Sequence, residues 1–412
     1  MLKAKYLYDQ DVDYAQGFHA FALNLGIKKE KPDVAILLCK EGAVAGGVFT
    51  KNLFRSSSLD HSQKKLKNKI RALTVFSGNA NACTGPHGEQ TNKLISKSIA
   101  KTLSCKEDEI LLSYTGVVGR EFPHEKINDK LVEALQLETG KPGSSARRME
   151  WDTVEFAKGI LTTDTREKRI ACEVAVTGNK KFRMAACAKG AGMIHPNMGT
   201  LLAFITTDLV MKGSDCQKLL DSAVGGSFNQ CTVDGDTSTN DSCFMMASGR
   251  SGIKVGEGVS LEQVQELVDT LCAHLAREVA RDGEGATKFI TVNVEGAASL
   301  DHARKASKAV ASSLLFKTAV FGADPNYGRI LVALGNAGLP LKQEHVEVNF
   351  GKVPLFKLNK VQTANISKAA SYLKENKEIE INISLGMGKF SAQAWTCDIT
   401  YDYVKINAEY TT

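Results

Sequence analysis

The chain has 412 residues, is 43% hydrophobic and carries a formal net charge of +6, enough apolar material for a large core shared by two or three domain-sized units. No run approaches the roughly 18 uninterrupted apolar residues of a membrane-spanning helix, and the opening MLKAKYLYDQDVDYAQGF lacks a signal-peptide apolar segment; a soluble protein with a cytoplasmic address is expected, and no membrane partner. The lysine-dense stretch HSQKKLKNKIR (61–71) has no interleaved aromatic residues and reads as a solvated connection rather than a nucleic-acid surface.

In chain order, VAILLC (34–39), AVAGGVF (43–49) and ALTVF (72–76) are short apolar runs of strand type, KLISKSIAKTL (93–103) has helical spacing, and EILLSY (109–114) is a further strand. A polar break, ETGKPGSSARR (138–148), precedes a short helix and the runs RIACEVAV (169–176) and KFRMAACA (181–188), which TGNK joins into a hairpin. LLAFIT (201–206) opens the second half. The clearest helix is SLEQVQELVDTLCAHLAREVARDG (260–283): Ser260 and Gln263 fit a capping box, Val264, Leu267, Val268, Leu271, Leu275 and Val279 form one apolar stripe, and Gly283 suits the C-terminal end. KFITVNVE (288–295), a helix around DHARKASKAVASSLLFKTAV (301–320), EIEINISL (378–385) and AWTCDITYDYV (394–404) continue the alternation, which is that of a layered α/β protein.

The ten cysteines include no CxxC and the eight histidines no HxxxH or HxH pair, so reduced, mostly buried thiols are expected and a structural metal site is not. The segment with a chemical reading is KGAGMIHPNMGTLLAFITTD (189–208). A Gly-Thr bond behind a Gly/Pro/Asn loop can be held bent, so that the threonine hydroxyl approaches the preceding carbonyl, as an N-to-O acyl shift requires. Cleavage would give Thr200 a free α-amine beside its own hydroxyl, a base next to a nucleophile. On residue types alone, a plain turn entering a core strand is the favoured reading.

This segment resembles the self-cleavage segment of the ornithine acetyltransferase family, also called glutamate N-acetyltransferase. GFHAFALNLGIKKEKPDVAIL (17–37), GVFTKN (47–52), SGNANACTG (77–85), YTGVVGR (114–120), LTTDT (161–165), VDGDTSTNDS (233–242), DGEGATKF (282–289), FGADPNYGRI (321–330) and AWTCDITYDYVKINAEYTT (394–412) resemble the family in matching order. Two departures stand out: Gly199 occupies a position where the family usually has alanine, and TTDT continues into REK where phenylalanine and proline are common.

The resemblance implies cleavage between Gly199 and Thr200 into an N-terminal α chain (1–199) and a C-terminal β chain (200–412) that stay packed together, possessing an α/β/β/α-type sandwich and a smaller C-terminal α/β domain at about 285–385. It implies Thr200 as nucleophile, the Thr115 hydroxyl and Gly116 amide as oxyanion hole, and Thr162, Lys189, Thr200, Glu284, Asn407 and Thr412 as substrate-binding residues, with Thr163 an alternative to Thr162. The implied reaction moves acetyl from N-acetylornithine to glutamate through an acetyl-threonine ester, in arginine biosynthesis, with no cofactor; acetyl-CoA stays open as a second donor. The implied assembly is a heterotetramer of two α and two β chains. A self-processing N-terminal-nucleophile aminopeptidase or amidase, and a non-enzymatic amino-acid-binding protein, are the alternative readings.

Overall fold

The computed structural model describes residues 2–140, 153–176, 178–195 and 201–409; Gly199, Thr200 and Thr412 lie outside the described residues. The chain divides into two compact units, one of Met1–Gly190, Asn197–Gly225 and Thr237–Leu275, the other of Ala191–Pro196, Gly226–Asp236 and Ala276–Thr412.

In the first unit the elements run β1 (Ala4–Leu7), β2 (His19–Leu23), β3 (Val34–Phe49), α1 (Ser57–Gln63), β4 (Ile70–Asn79), α2 (Pro86–Leu103), β5 (Ile110–Val117), α3 (His124–Glu138), α4 (Phe156–Gly159), β6 (Lys168–Ala175), β7 (Lys181–Lys189), β8 (Leu202–Thr207), α5 (Gly213–Gly226), β9 (Ser242–Ala247) and α6 (Leu261–Arg281). VAILLC and AVAGGVF, expected as separate runs, form the single long strand β3. Its first half pairs with β2 and β4, and its second half with β9. The register shifts between Leu38 and Ala43, so one strand serves two sheet layers, β2–β3–β4–β5 and β1–β6–β7–β8–β9–β3.

Strand alternation fixes what lies between the layers. Ala35, Leu37 and Cys39 of β3, Leu73 and Val75 of β4 and Leu111 of β5 join Cys187, Leu202, Phe204, Phe244 and Met246 of the opposite layer in one core. The alternate residues Val34, Ile36, Leu38, Ala72, Phe76, Ile110 and Leu112 pack with Ile95 and Ile99 of α2 and Ile127 and Leu131 of α3. On the far side, α5 meets β3 where the Gln217 side chain accepts the Gly47 amide, and Gln265 ties α6 to α5. The layering is the expected α/β/β/α sandwich. The 169–188 hairpin forms as β6–β7, and Ser260 and Gln263 exchange the two capping-box hydrogen bonds, at 3.2 and 2.9 Å.

The second unit carries β10 (Phe289–Ala297), α7 (Leu300–Ala311), α8 (Leu314–Phe321), α9 (Tyr327–Gly335), β11 (Glu347–Phe350), β12 (Val353–Lys357), β13 (Lys360–Val361), α10 (Ile366–Glu375), β14 (Glu378–Ser384), β15 (Phe390–Cys397) and α11 (Tyr401–Ala408). Its sheet has the order β13-β12-β11-β14-β10-β15. Ile290, Val292 and Val294 of β10 and Ile379, Ile381 and Ile383 of β14 point into one core with Ala303, Ala306 and Val310 of α7. The helix expected over 301–320 is two helices, because Ser313 leaves the helical conformation and caps α8 through the Phe316 amide. AWTCDITYDYV likewise divides: Thr400 ends the extended run and caps α11.

All ten cysteines are reduced thiols, buried except Cys83 and Cys105. Among the described residues no helix is long and apolar enough to cross a membrane, and no cluster of His, Cys, Asp or Glu could hold a metal ion.

Candidate functional site

Thr115 and Gly116 lie at the C-terminal end of β5, beside Ser77 and Gly78 of the parallel strand β4. Gly116 has φ +133°, and a β-carbon there would come within 2.3 Å of the Gly78 carbonyl carbon and 2.5 Å of the Asn79 nitrogen. Two backbones meet at a distance that only glycine permits. Immediately beyond, the β4–β5 register shifts at Asn79. The strand end is buttressed by VDGDTSTNDS: Asn240 donates its side-chain amide to the carbonyls of Tyr114 (3.0 Å) and Ala80 (2.5 Å). The neighbouring Asp241 is buried, and that burial pushes its carboxyl well above the usual carboxylate range against the opposing pull of Ser238 and Lys189.

Lys189, the last residue of β7, brings its ammonium to 3.3 Å from the Thr115 hydroxyl oxygen. Both residues are buried. Lysine has only donors, so Thr115 accepts from it through a lone pair and keeps its own O–H to donate.

A second buried cation, Lys168, pairs with Asp164 at 2.7 Å, both side chains fully out of solvent. The same carboxylate accepts the backbone amides of Gly190 (2.6 Å) and Thr162 (3.0 Å), so it fixes the residue that follows Lys189. Burial works against ionisation of Asp164, but Lys168 and Lys189 outweigh it and hold the carboxyl well below the usual carboxylate range. Lys28 donates to the carbonyls of Pro32 and Leu161; burial lowers its pKa to about 8, with Asp33 opposing and Lys189 assisting. With Lys189, these lysines give this end of the unit a cationic character suited to a carboxylate. Thr162 and Thr163 are both part-exposed, and the structure ties the former through its backbone.

In the second unit, Glu284 and Asn407 come together: the Asn407 side chain donates to Glu284 Oε2 at 2.8 Å. The Glu284 amide bonds the Ala191 carbonyl at 2.9 Å. Its carboxylate lies so close to Gly192 that a β-carbon there would meet it at 2.3 Å. Tyr403 donates its hydroxyl to Asp234.

Sequence reasoning missed Lys28, Asp164, Lys168 and Asn240. In LTTDT it weighed the hydroxyls and passed over the carboxylate between them. VDGDTSTNDS entered only as a matching segment, and its Asn240 braces the end of β5. The available signal was that both segments carry carboxylates or amides among small residues, but turn loops in general share that composition.

The ArgJ family model matches residues 19–412. The chain is 41% identical over 411 residues to the arginine biosynthesis bifunctional protein ArgJ of Dehalococcoides mccartyi, covering 98% of each chain. It is 39% identical over 392 residues to the glutamate N-acetyltransferase of Methanopyrus kandleri, covering 94% of this chain and 97% of the relative. Among solved structures, the Bacillus halodurans arginine biosynthesis bifunctional protein aligns at 40% identity and TM-score 0.48, over 50% of this chain and 98% of that one. The Mycobacterium tuberculosis ornithine acetyltransferase complexed with ornithine aligns at 26% identity and TM-score 0.41, over 48% of this chain and 100% of that one.

Proposed function

The chain belongs to the ArgJ family and is an acyltransferase of arginine biosynthesis, and from that premise we propose that it cuts itself between Gly199 and Thr200 and then moves acetyl from N-acetylornithine to glutamate by a ping-pong mechanism. In self-cleavage the Thr200 hydroxyl oxygen bonds the Gly199 carbonyl carbon, the peptide C–N bond breaks, and the hydroxyl proton passes to the released nitrogen. Water then hydrolyses the ester, giving a Gly199 carboxylate and a Thr200 with free hydroxyl and α-amine.

In the first half-reaction that amine takes the hydroxyl proton as the Thr200 oxygen attacks the acetyl carbonyl. The intermediate's oxyanion accepts from the Thr115 hydroxyl and the Gly116 amide, each such donor lowering the barrier by roughly 3–4 kcal/mol. Collapse breaks the amide C–N bond, the proton goes to the departing ornithine amine, and an acetyl-threonine ester is left. The glutamate amine then attacks the ester, forms the new amide, and returns the proton to the threonine oxygen. Lys189 serves the substrate carboxylate. Thr162, Glu284, Asn407 and Thr412 keep the substrate-binding roles that family likeness gives them.

The observation that carries this reading is the buried Lys189–Thr115 contact at a strand end where Gly116 admits no side chain. The continued association of the cut chains is supported by β7 pairing with β8 and β3 with β9, strands from opposite sides of the cut. The resulting α and β chains assemble as a heterotetramer of two of each, which native mass measurement tests.

The functional test is a denaturing gel with product measurement. Wild-type protein should run as two fragments, the second beginning at Thr200, and convert N-acetylornithine and glutamate to ornithine and N-acetylglutamate. Thr200→Ala should remain one band and make neither product. Thr115→Val should lower kcat about 10²–10³-fold. A single wild-type band, or acetate release outpacing transfer to glutamate, would sink the proposal. Formation of N-acetylglutamate from acetyl-CoA and glutamate decides whether the enzyme also uses that donor.

A further inference from the structure

Strands β7 and β8 are antiparallel neighbours, with Lys189 beside Leu202, and such strands usually close with a loop of about two to five residues. Here residues 190–201 intervene. Six of them, Ala191–Pro196, are grouped with the second unit, and hydrogen bonds within that unit hold residues 193–195. The Met193 amide donates to Asp234 Oδ2 at 2.6 Å and the Ile194 amide to Asp234 Oδ1 at 2.8 Å. The Ile194 carbonyl accepts from the Val233 amide (2.7 Å) and the Thr232 hydroxyl (3.0 Å). Thr232 also bonds His195 Nδ1 at 3.1 Å. Met193 sits at φ +53°, a left-handed conformation that a side chain adopts rarely unless its surroundings impose it.

The clamp is itself fixed. Asp234 accepts the Asp236 amide and the Tyr403 hydroxyl. The carbonyls of Asn229 and Cys231 accept from Lys308, and that of Val233 from Lys317. Lys317, which is buried, and Lys308, which is part-buried, therefore donate to the loop that carries Asp234, and that loop binds residues 193–195.

We propose that Asp234 is a positioning residue for self-cleavage. It holds Met193 and Ile194, on the acyl side of the Gly199–Thr200 bond, so that the chain leads toward that bond from a held point. This rests on the self-cleavage proposed above. Attack of a hydroxyl on its own preceding carbonyl depends on holding a bent, uncommon geometry, and a freely moving upstream segment would spend little time in it. Only a carboxylate offers two acceptor oxygens to two successive amides with charge assistance. An asparagine keeps one such oxygen and an alanine none.

The test follows pulse-labelled full-length protein on denaturing gels, with kcat and melting temperature measured on the matured enzyme. Asp234→Ala should cut about 10²-fold more slowly than wild type, and Asp234→Asn about tenfold more slowly, while the matured Asp234→Asn enzyme keeps kcat within about threefold and its melting temperature. A loss confined to folding would instead move melting temperature and kcat together. If Asp234→Ala does not fold, the near-isosteric Asp234→Asn decides. A wild type that never cuts overturns the self-cleavage reading. A wild type that cuts, alongside a folded Asp234→Asn that cuts at the same rate, overturns the role of Asp234 and leaves that reading standing.

Discussion

Asp164 shows how one buried side chain can tie two loops and a lysine together. A carboxylate and an ammonium removed from water recover their desolvation cost only when geometry is close and the remaining acceptor sites are filled. Both conditions hold, with Lys168 at 2.7 Å on one oxygen and the Gly190 and Thr162 amides shared between the two. Asp164→Asn keeps the shape but removes the charge facing Lys168, and should destabilise the protein by about 3–5 kcal/mol in urea unfolding. The sign of its pH dependence follows from the lowered carboxyl pKa. The contribution of Asp164 is fully present above the ordinary carboxylate range and is lost only as pH falls toward the depressed folded value, so the penalty should be the same at pH 5 and pH 8. A penalty that vanishes by pH 5 would mean that the pair does not hold Asp164 ionised. Because Gly190 follows Lys189, the same variant should also raise KM more than it lowers kcat.

At the level of elements, local signals decided how much could be read in advance. The α6 cap was legible because Ser260 and Gln263 are three residues apart and the six-residue apolar stripe behind them has one period; all six are buried. Ser260→Ala should accordingly cost about 1 kcal/mol, and Ser260→Gly only a few tenths, with the loss appearing as faster amide exchange in the first turn of α6. Equal cost for the two would place the effect outside the cap. Strand β3 was legible in residues but not in connectivity, since nothing local says that the polar Lys40–Glu41 step lies inside one strand rather than in a turn. The 301–320 helix was read through Ser312–Ser313 because its apolar residues continue on both sides, whereas Ser313 caps a new helix. For the site, Thr115, Gly116 and Lys189 entered through family likeness, and Gly116 then acquired a physical reason in its approach to Gly78. Asp164 and Asn240 were hidden because the partners that tie them to Lys189 and to the end of β5, Gly190 and Tyr114, lie 26 and 126 residues away. A role defined by such partners leaves no trace in spacing.

Across the molecule, each unit has a part-buried histidine whose pKa is lowered, and this makes acid a common destabiliser. Burial, followed by Lys65 and Lys64, brings His61 to about 4; its Nε2 lies 2.8 Å from the Lys65 ammonium and can accept from it only while unprotonated. Burial, followed by Lys308 and Lys317, brings His195 to about 4. An unfolded histidine titrates near 6.5, so between pH 4 and 6.5 the unfolded chain binds more protons than the folded one at these positions, and stability rises with pH. Asp11, Asp208 and Asp241 act with the opposite sign, because burial raises each carboxyl and the fold then retains protons that the unfolded chain has lost. The bare melting curve therefore mixes two slopes, and the histidine part is isolated by difference. His61→Gln and His195→Gln should each lie below wild type in melting temperature at pH 7, by about 2–4 °C for every kcal/mol lost. That gap should shrink steadily toward pH 4.5, where the wild-type histidines must themselves become charged inside the fold. A gap that stays constant from pH 7 to pH 4.5 would show that these imidazoles protonate as freely when folded as when unfolded, and acid sensitivity would then have to come from another group.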